Sequence, residues 1–597
     1  MDSRKKIITI LCLLFTFIIP SLAEDIHEAV KTGDTERLKK ILGENPSLVN
    51  SPDKDKMTPL HHAIDAGNLE VVSLLISHEA DVNAVNYKKE TSLHIAVFKG
   101  NAAAVRLLLK HGADHTLRDM RDRIPLLYAC GVGKSFEAVK LLIDAGSDVN
   151  DKNSRGETII LSALYAGQKE IIDLLIDRGA TLPNDKENLR RVLYVTASRN
   201  LKRPFDIAVE KSEKQDMKWW TFIPIHACAQ GGSVAIAKAL IDKGADFRQK
   251  NRYGLEPLHV AAENGRTEFV EFLLSMGAEI DSPSLMGKTA LHFAQENEHS
   301  ELAALLVRKG ASQAPPQFPV LKGDYLGQPE PGDTPQMFAP GIVSDYSSEH
   351  SPAVFSPDLK EIYWTRGFRG AILYMKHEKG VWTAPKSAPF CSEYGDGEPI
   401  FSPDGKKLFF LSSRPLKPEG PSDKENMWYV ERTPEGWSEP NPVSPLINAF
   451  DLHWLFSVAH NGMIYFSSPS GNSLGMRDIY SSRFVNGEYE EPKNLGGIIN
   501  TSGNDHTPFI APDENYLIYV SPGKSSSPGG EKFHISYRNR NGTWMEPVSL
   551  GQKINSLRAG LCPAVTPDGK YMFFISQGDI YWVSAKFIQD LRPKELK

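Results

Sequence analysis

An apolar leucine returns through the first half of this chain at an almost constant step, and a chain built that way does not fold around one ordinary core. Such a period marks one supersecondary unit used repeatedly, each copy burying its apolar face against its neighbours. The leucine falls at Leu75, Leu108, Leu142, Leu175, Leu240, Leu273 and Leu306, with steps of 33, 34, 33, 65, 33 and 33 residues. The 65 is two steps less one. Four residues after these leucines stand Gly112, Gly146, Gly179, Gly244, Gly277 and Gly310, with Glu79 in place of glycine once. Glycine there predicts a helix that ends in a left-handed backbone conformation. About 17 residues upstream of the leucine lies Thr58-Pro59-Leu60-His61, echoed by Thr91-Ser92-Leu93-His94, Ile223-Pro224-Ile225-His226, Glu256-Pro257-Leu258-His259 and Thr289-Ala290-Leu291-His292. Proline is pre-set for the first helical turn, and the threonine and histidine can tie that turn to its neighbours.

This signature resembles that of ankyrin repeats, which share the 33-residue period. The resemblance covers an opening cap at Asp25–Lys56 and runs on to Gln317, about nine units in all. The long step predicts a degenerate unit near Arg190–Phe222, with Val192, Leu193, Val195 and Ala197 in its inner helix and Trp219 and Trp220 at its irregular end. The histidines hold fixed places in the signature and are read as structural, and Cys130 and Cys228 as small core residues. The resemblance implies protein binding through the hairpin tips and the inner-helix face. The tips carry Tyr87, Lys88, Met120, Arg121, Arg155, Arg252, Tyr253 and Met286, residue types that interfaces favour.

After Pro-rich residues 318–337, expected to be a linker, the period and the chemistry change. Phe355-Ser356-Pro357-Asp358, Phe401-Ser402-Pro403-Asp404-Gly405, Ile510-Ala511-Pro512-Asp513 and Val565-Thr566-Pro567-Asp568-Gly569 each end a strand in a tight turn. Phe456-Ser457 with Asn461-Gly462 supplies a degenerate third turn, making five copies. Apolar strands follow, from Ile362-Tyr363-Trp364 to Met572-Phe573-Phe574, and then a further strand such as Asp478-Ile479-Tyr480 or Asp579-Ile580-Tyr581. Four short strands per unit of about 50 residues predict a β-propeller over 338–597. The motif set resembles the WD40-like (PD40) repeats of TolB-like propellers. Phe338–Val343 reads as a last strand without its blade, and the chain ends on a blade without its last strand, so each end is expected to complete the other. Five blades follow, or six if Gly323–Pro335 hides a partner.

The constellation in this half that could carry chemistry is acidic. Glu349, Asp396, Asp451 and Asp505 stand three residues before the first-strand proline position, with Gly560 departing in the fifth copy; His350, Glu398, His453 and His506 lie close by. These groups either crowd one mouth of the central channel as a binding funnel or cap the turns leading into their strands.

At the N-terminus, Arg4, Lys5 and Lys6 precede an apolar run from Ile7 to Ile19, and Pro20, Ser21, Leu22 and Ala23 form a small-x-small site. This predicts a signal peptide over 1–23 cleaved after Ala23, and a protein exported to the periplasm or secreted, with no membrane-spanning segment once the leader is gone. The chain carries 68 basic and 74 acidic residues for a net charge of −6, about −8 after cleavage, which argues against nucleic acid as a partner. Cys391 and Cys562 could bridge only if the fold brings them together. No motif for a cofactor or metal occurs, nor a nucleophile elbow or a phosphate loop. The whole reads as a multidomain α + β chain, a helical solenoid over 24–317 and an all-β propeller. Its function is expected to be that of a non-catalytic scaffold with a protein on the ankyrin face and a protein or glycan on the propeller. The alternative is a propeller enzyme acting on glycans through channel carboxylates.

Overall fold

Short amphipathic runs with caps at both ends become short helices. The computed structural model describes residues 25–132, 135–213, 224–345, 351–367, 370–417, 420, 424–452, 454–469, 473–523, 531–557 and 560–596; the leader, Trp219 and Trp220 lie outside them. Two compact units emerge. One takes the chain to Arg248 and again over Val260–Ala278; the other takes Gln249–His259 and everything from Glu279.

In the first unit, an inner helix of seven or eight residues alternates with an outer helix of nine. Examples are Pro59–Ala66 with Leu69–Ser77, Ser92–Phe98 with Ala102–Lys110, and Ile159–Ala166 with Lys169–Asp177. The opening cap forms helices over 25–32 and Thr35–Glu44. The degenerate unit is longer than the others, Lys186–Ser198 and Lys202–Glu213, and buries Val192, Leu193 and Ala197 as expected. Leu75, Leu108, Leu142, Leu175, Leu240 and Leu273 are all fully buried. The glycines after them take φ between +84° and +99°, and Glu79 is held at +64° in the same place.

Signature histidines bridge neighbouring repeats, as His61 and His94 show. His61 Nδ1 accepts the Thr58 backbone N–H at 3.1 Å, so its Nε2–H donates to the Glu90 carbonyl in the next repeat at 3.2 Å. His94 repeats this with Thr91 and Arg123. Burial lowers the pKa of both rings, which keeps them neutral.

The second unit holds the hairpin Gln249–His259, the helix pair Ala290–Glu296 and Ser300–Arg308, and a ring of five antiparallel blades. Counting blades in chain order, the first strands are Val354–Phe355, Asp396–Phe401, Ser457–Val458, His506–Ile510 and Leu561–Val565. The second strands are apolar on both faces, because each sheet packs between two others. Ile362, Tyr363, Trp364, Leu408, Phe410, Tyr465, Ile518, Met572 and Phe574 are all essentially inaccessible. In the Ser-Pro-Asp turns, Ser356 Oγ donates to Asp358 and accepts the Glu361 N–H, and Ser402 and Thr566 do the same in their blades.

The ring closes as expected, but the closing strand sits earlier. Gln336–Met337 pairs with Tyr581–Trp582, and the Phe338 N–H donates to the Ile580 carbonyl at 2.9 Å. Phe338–Val343 cannot be that strand: Pro340 has no N–H to give, and Ala339 and Gly341 take φ of +41° and +76°, so the chain turns out of the sheet. The closing strand therefore lies inside the segment expected to be a linker. That segment also pairs Leu321–Lys322 with Val381–Trp382 and buries Tyr325 and Leu326. It adds to the first and last blades and forms no sixth. Cys130, Cys228, Cys391 and Cys562 are all free thiols.

Candidate functional site

The repeat tips are built on one recurring side chain. Asp53, Asn86, Asp119 and Asn153 each accept, through Oδ1, the backbone N–H groups two and four residues on. These caps hold the turn with its fourth residue at positive φ, Lys56, Lys89 and Asp122 at +55° to +60° and Gly156 at +77°. Consecutive tips are also joined: the Tyr87 N–H donates to the Asp55 carbonyl and the Met120 N–H to the Lys88 carbonyl. Tyr87 is 54% exposed and Met120 63%, and Lys88, Arg121 and Arg155 are exposed beside them. These five expected contact residues line one ledge.

The other three are placed differently. Asn251 builds the same turn, but the Tyr253 on it is buried and its hydroxyl donates to Asp579 Oδ2 in the last blade at 3.2 Å. Arg252 reaches the same oxygen at 2.9 Å, and Met286 packs against the aromatic cluster of Phe338, Phe355 and Trp582. Within the second unit these three hold structure together.

In the propeller, Glu349, His350 and His453 lie outside the described residues. Asp396 is fully buried, accepts from the Ser392 N–H and Oγ, and pairs with Arg414 at 2.8 Å. Asp505 is equally buried and accepts from the Thr501 N–H and Oγ1. Both carboxylates cap the turn leading into their strands. Asp451 keeps an exposed side chain. Glu398 departs from the strand path: a bulge places it at φ +57°, buried, and desolvation together with nearby Glu425 pushes its pKa well above the usual carboxylate range.

Beside it the expected His506 meets Trp454, Arg477 and Glu531, which the sequence reading did not single out. Trp454 stands at φ +70°, with its ring centroid 4.7 Å from that of buried His506 and the Arg477 guanidinium 5.2 Å from its face. His506 Nε2 contacts Glu531 at 3.2 Å, and that hydrogen bond holds the Glu531 carboxyl below its usual pKa. Burial lowers the Arg477 pKa, against the pull of Asp451 and Glu425. The available signal was Trp454 itself, which occupies the position held by Pro352, Pro399, Pro508 and Pro563 in the other copies.

At the far ends of the same first strands lies a cavity of about 310 Å³ lined by Phe355, Phe401, Val458, Phe509 and Val565 with their turn residues. It is largely apolar, and the acidic positions are at the other mouth. Among the described residues, no group of three or more His, Cys, Asp or Glu could hold a metal ion, and no helix is long and apolar enough to cross a membrane.

Models of ankyrin repeats match residues 26–119, 184–284, 225–317 and 126–176. The chain is 35% identical over 232 residues to the Saccharomyces cerevisiae protein named "Probable 26S proteasome regulatory subunit p28", a stretch that is 37% of this chain and 86% of that one. The chain belongs to the ankyrin-repeat family. Shorter likenesses join this ankyrin-repeat protein to a fowlpox virus ankyrin repeat protein, 40% identical over 52 residues, and to alpha-latrocrustotoxin-Lt1a of Latrodectus tredecimguttatus, 28% over 136 residues. They cover 9% and 21% of this chain, and the chain spans only 36% and 9% of those two relatives.

Proposed function

We propose that this ankyrin-repeat protein is an exported, non-catalytic scaffold that holds a protein partner on its repeat tips and uses a TolB-like propeller as a second binding module. The observation that carries the reading is the ledge of Tyr87, Lys88, Met120, Arg121 and Arg155. Its backbone is locked by side-chain caps and by hydrogen bonds from tip to tip, while Tyr87 and Met120 stay open to solvent. A surface whose backbone is already fixed loses little backbone entropy on binding, and aromatic, Met and Arg side chains are those that interfaces favour.

Export is supported by Arg4, Lys5 and Lys6 ahead of the apolar run Ile7–Ile19 and the small residues to Ala23. The TolB-like assignment is supported by the series of Ser-Pro-Asp turns. The scaffold is tested by affinity capture from the envelope fraction of the native cell with the mature chain and with a Tyr87→Ala, Met120→Ala, Arg121→Ala, Arg155→Ala variant. The reading expects a protein that the first retains and the second loses. Identical capture by both removes the tip surface from the account.

A further inference from the structure

Buried polar atoms that lack a hydrogen-bond partner gather where blades two, three and four begin. Among the described residues they include Glu398 Oε2, Asn426 Oδ1, Arg477 Nη1, Asp505 Oδ1, His506 Nδ1 and Thr507 Oγ1. His506 and Thr507 are fully buried, Asn426 is 4% exposed and Glu398 7%. Folding takes each atom from water without replacing its hydrogen bond, a cost that native structures tolerate rarely and seldom in clusters.

The grouping is physically continuous. Trp454 touches both His506 and Arg477, the Asp505 N–H donates to the Arg477 carbonyl, and Arg477 and Glu398 share Glu425 as a charged neighbour. A second observation points the same way. Glu398, Trp454 and Thr507 hold φ of +57°, +70° and +48°, a strained region for residues other than glycine, and such strain collects at binding sites.

The free groups say what would satisfy them. Arg477 Nη1 and the Thr507 hydroxyl offer protons. Asn426 Oδ1 accepts one, and so does His506 Nδ1, because Nε2 faces Glu531. Among the described residues of this grouping, carboxylates at Glu425, Asp451 and Glu531 outnumber the Arg477 guanidinium, which disfavours an anion, and Arg477 in their midst disfavours a metal cation. A neutral molecule whose every hydroxyl both donates and accepts meets these terms.

We propose that this mouth of the propeller binds a neutral sugar unit of a glycan through Arg477, His506, Thr507 and Asn426. The proposal rests on the reading of the propeller as a binding module and names its ligand class.

The test is saturation-transfer NMR and calorimetry on the mature full-length chain with maltohexaose, cellohexaose, mannohexaose and chitohexaose, and with calcium and inorganic phosphate as ionic probes. One of the oligosaccharides should bind. Arg477→Met, His506→Gln and Thr507→Val should each weaken it by about tenfold or more, and Lys406→Ala, on an exposed turn, should not. Thr507→Val carries a further signature: removing an orphaned hydroxyl leaves the melting temperature unchanged or higher while binding falls, which a purely structural role would not produce. Absence of binding to all four sugars, sugar binding that survives the three variants, or calcium or phosphate binding that they abolish overturns the assignment. A protein partner that crosslinks to the propeller in a chain that binds no sugar defeats the ligand class alone; absence of both defeats the module reading too.

Discussion

Tyr253 and Asp579 are 326 residues apart in sequence, and the phenol of one donates to the buried carboxylate of the other across 3.2 Å. Arg252 reaches the same oxygen from a half-exposed position, so it adds less than a buried pair would. Burial pushes the Asp579 carboxyl above its ordinary pKa, and Arg252 opposes the shift. The expected interface residues of this hairpin therefore serve the cohesion of the second unit.

Tyr253→Phe should lower the stability of that unit by about 1–2 kcal/mol, since Asp579 would lose a donor while its Oδ1 is already unpartnered. A double-mutant cycle with Asp579→Asn, read by chemical denaturation, should give a coupling of about 0.5–3 kcal/mol. Strict additivity would show that the contact contributes nothing.

Glu79→Gly should stabilise the chain by about 1 kcal/mol. The position has φ +64°, and the equivalent residue in the other repeats of the series is glycine. A lower melting temperature in calorimetry would mean that the glutamate side chain does something the backbone argument ignores.

The bridging histidines set an acid limit. Burial lowers the pKa of His61 and His94 below 6.5, so the unfolded chain binds their protons first. Their contribution is complete above about pH 6.5 and declines as the pH falls through the lowered folded values. Denaturation of the first unit at pH 7.5 and pH 5.5 should show that loss, and a His61→Leu, His94→Leu variant should be weaker at pH 7.5 with a flatter pH slope. An unchanged slope would take these rings out of the explanation.

Phe338 closes the ring. It is fully buried against Phe573 and Trp582, with centroids 4.8 and 5.1 Å away. Phe338→Ala should cost about 3–5 kcal/mol, whereas Val320→Ala, 72% exposed, should stay within about 0.5 kcal/mol. Equal effects of the two in thermal denaturation would contradict the closure.

Both arrays were legible because their physics is local and periodic. Leu75 and its successors, the glycines behind them and the Ser-Pro-Asp turns each solve a problem within a few residues, and repetition raises that signal above chance. The sites were harder. Tyr87 and Tyr253 follow the same kind of side-chain-capped turn, and no local feature tells that one stays exposed while the other meets Asp579. Asp396 and Asp505 fit either a funnel or a turn cap in sequence, and Ser392 and Thr501, four residues upstream, bond their carboxylates as caps. The closing strand was displaced because Phe338–Val343 has strand-like residues and the backbone at Ala339 and Gly341 overrides them.

In the function proposed above the repeat tips, and not Arg252 or Tyr253, hold the protein partner. The most direct measurement is the dissociation constant of the captured partner, by calorimetry, for the mature chain, the four-residue tip variant and an Arg252→Ala, Tyr253→Phe variant. The tip variant should bind more weakly by about a hundredfold or more, and the other variant should keep its affinity. Equal affinity of the mature chain and the tip variant, or a loss confined to the Arg252 and Tyr253 changes, would contradict it.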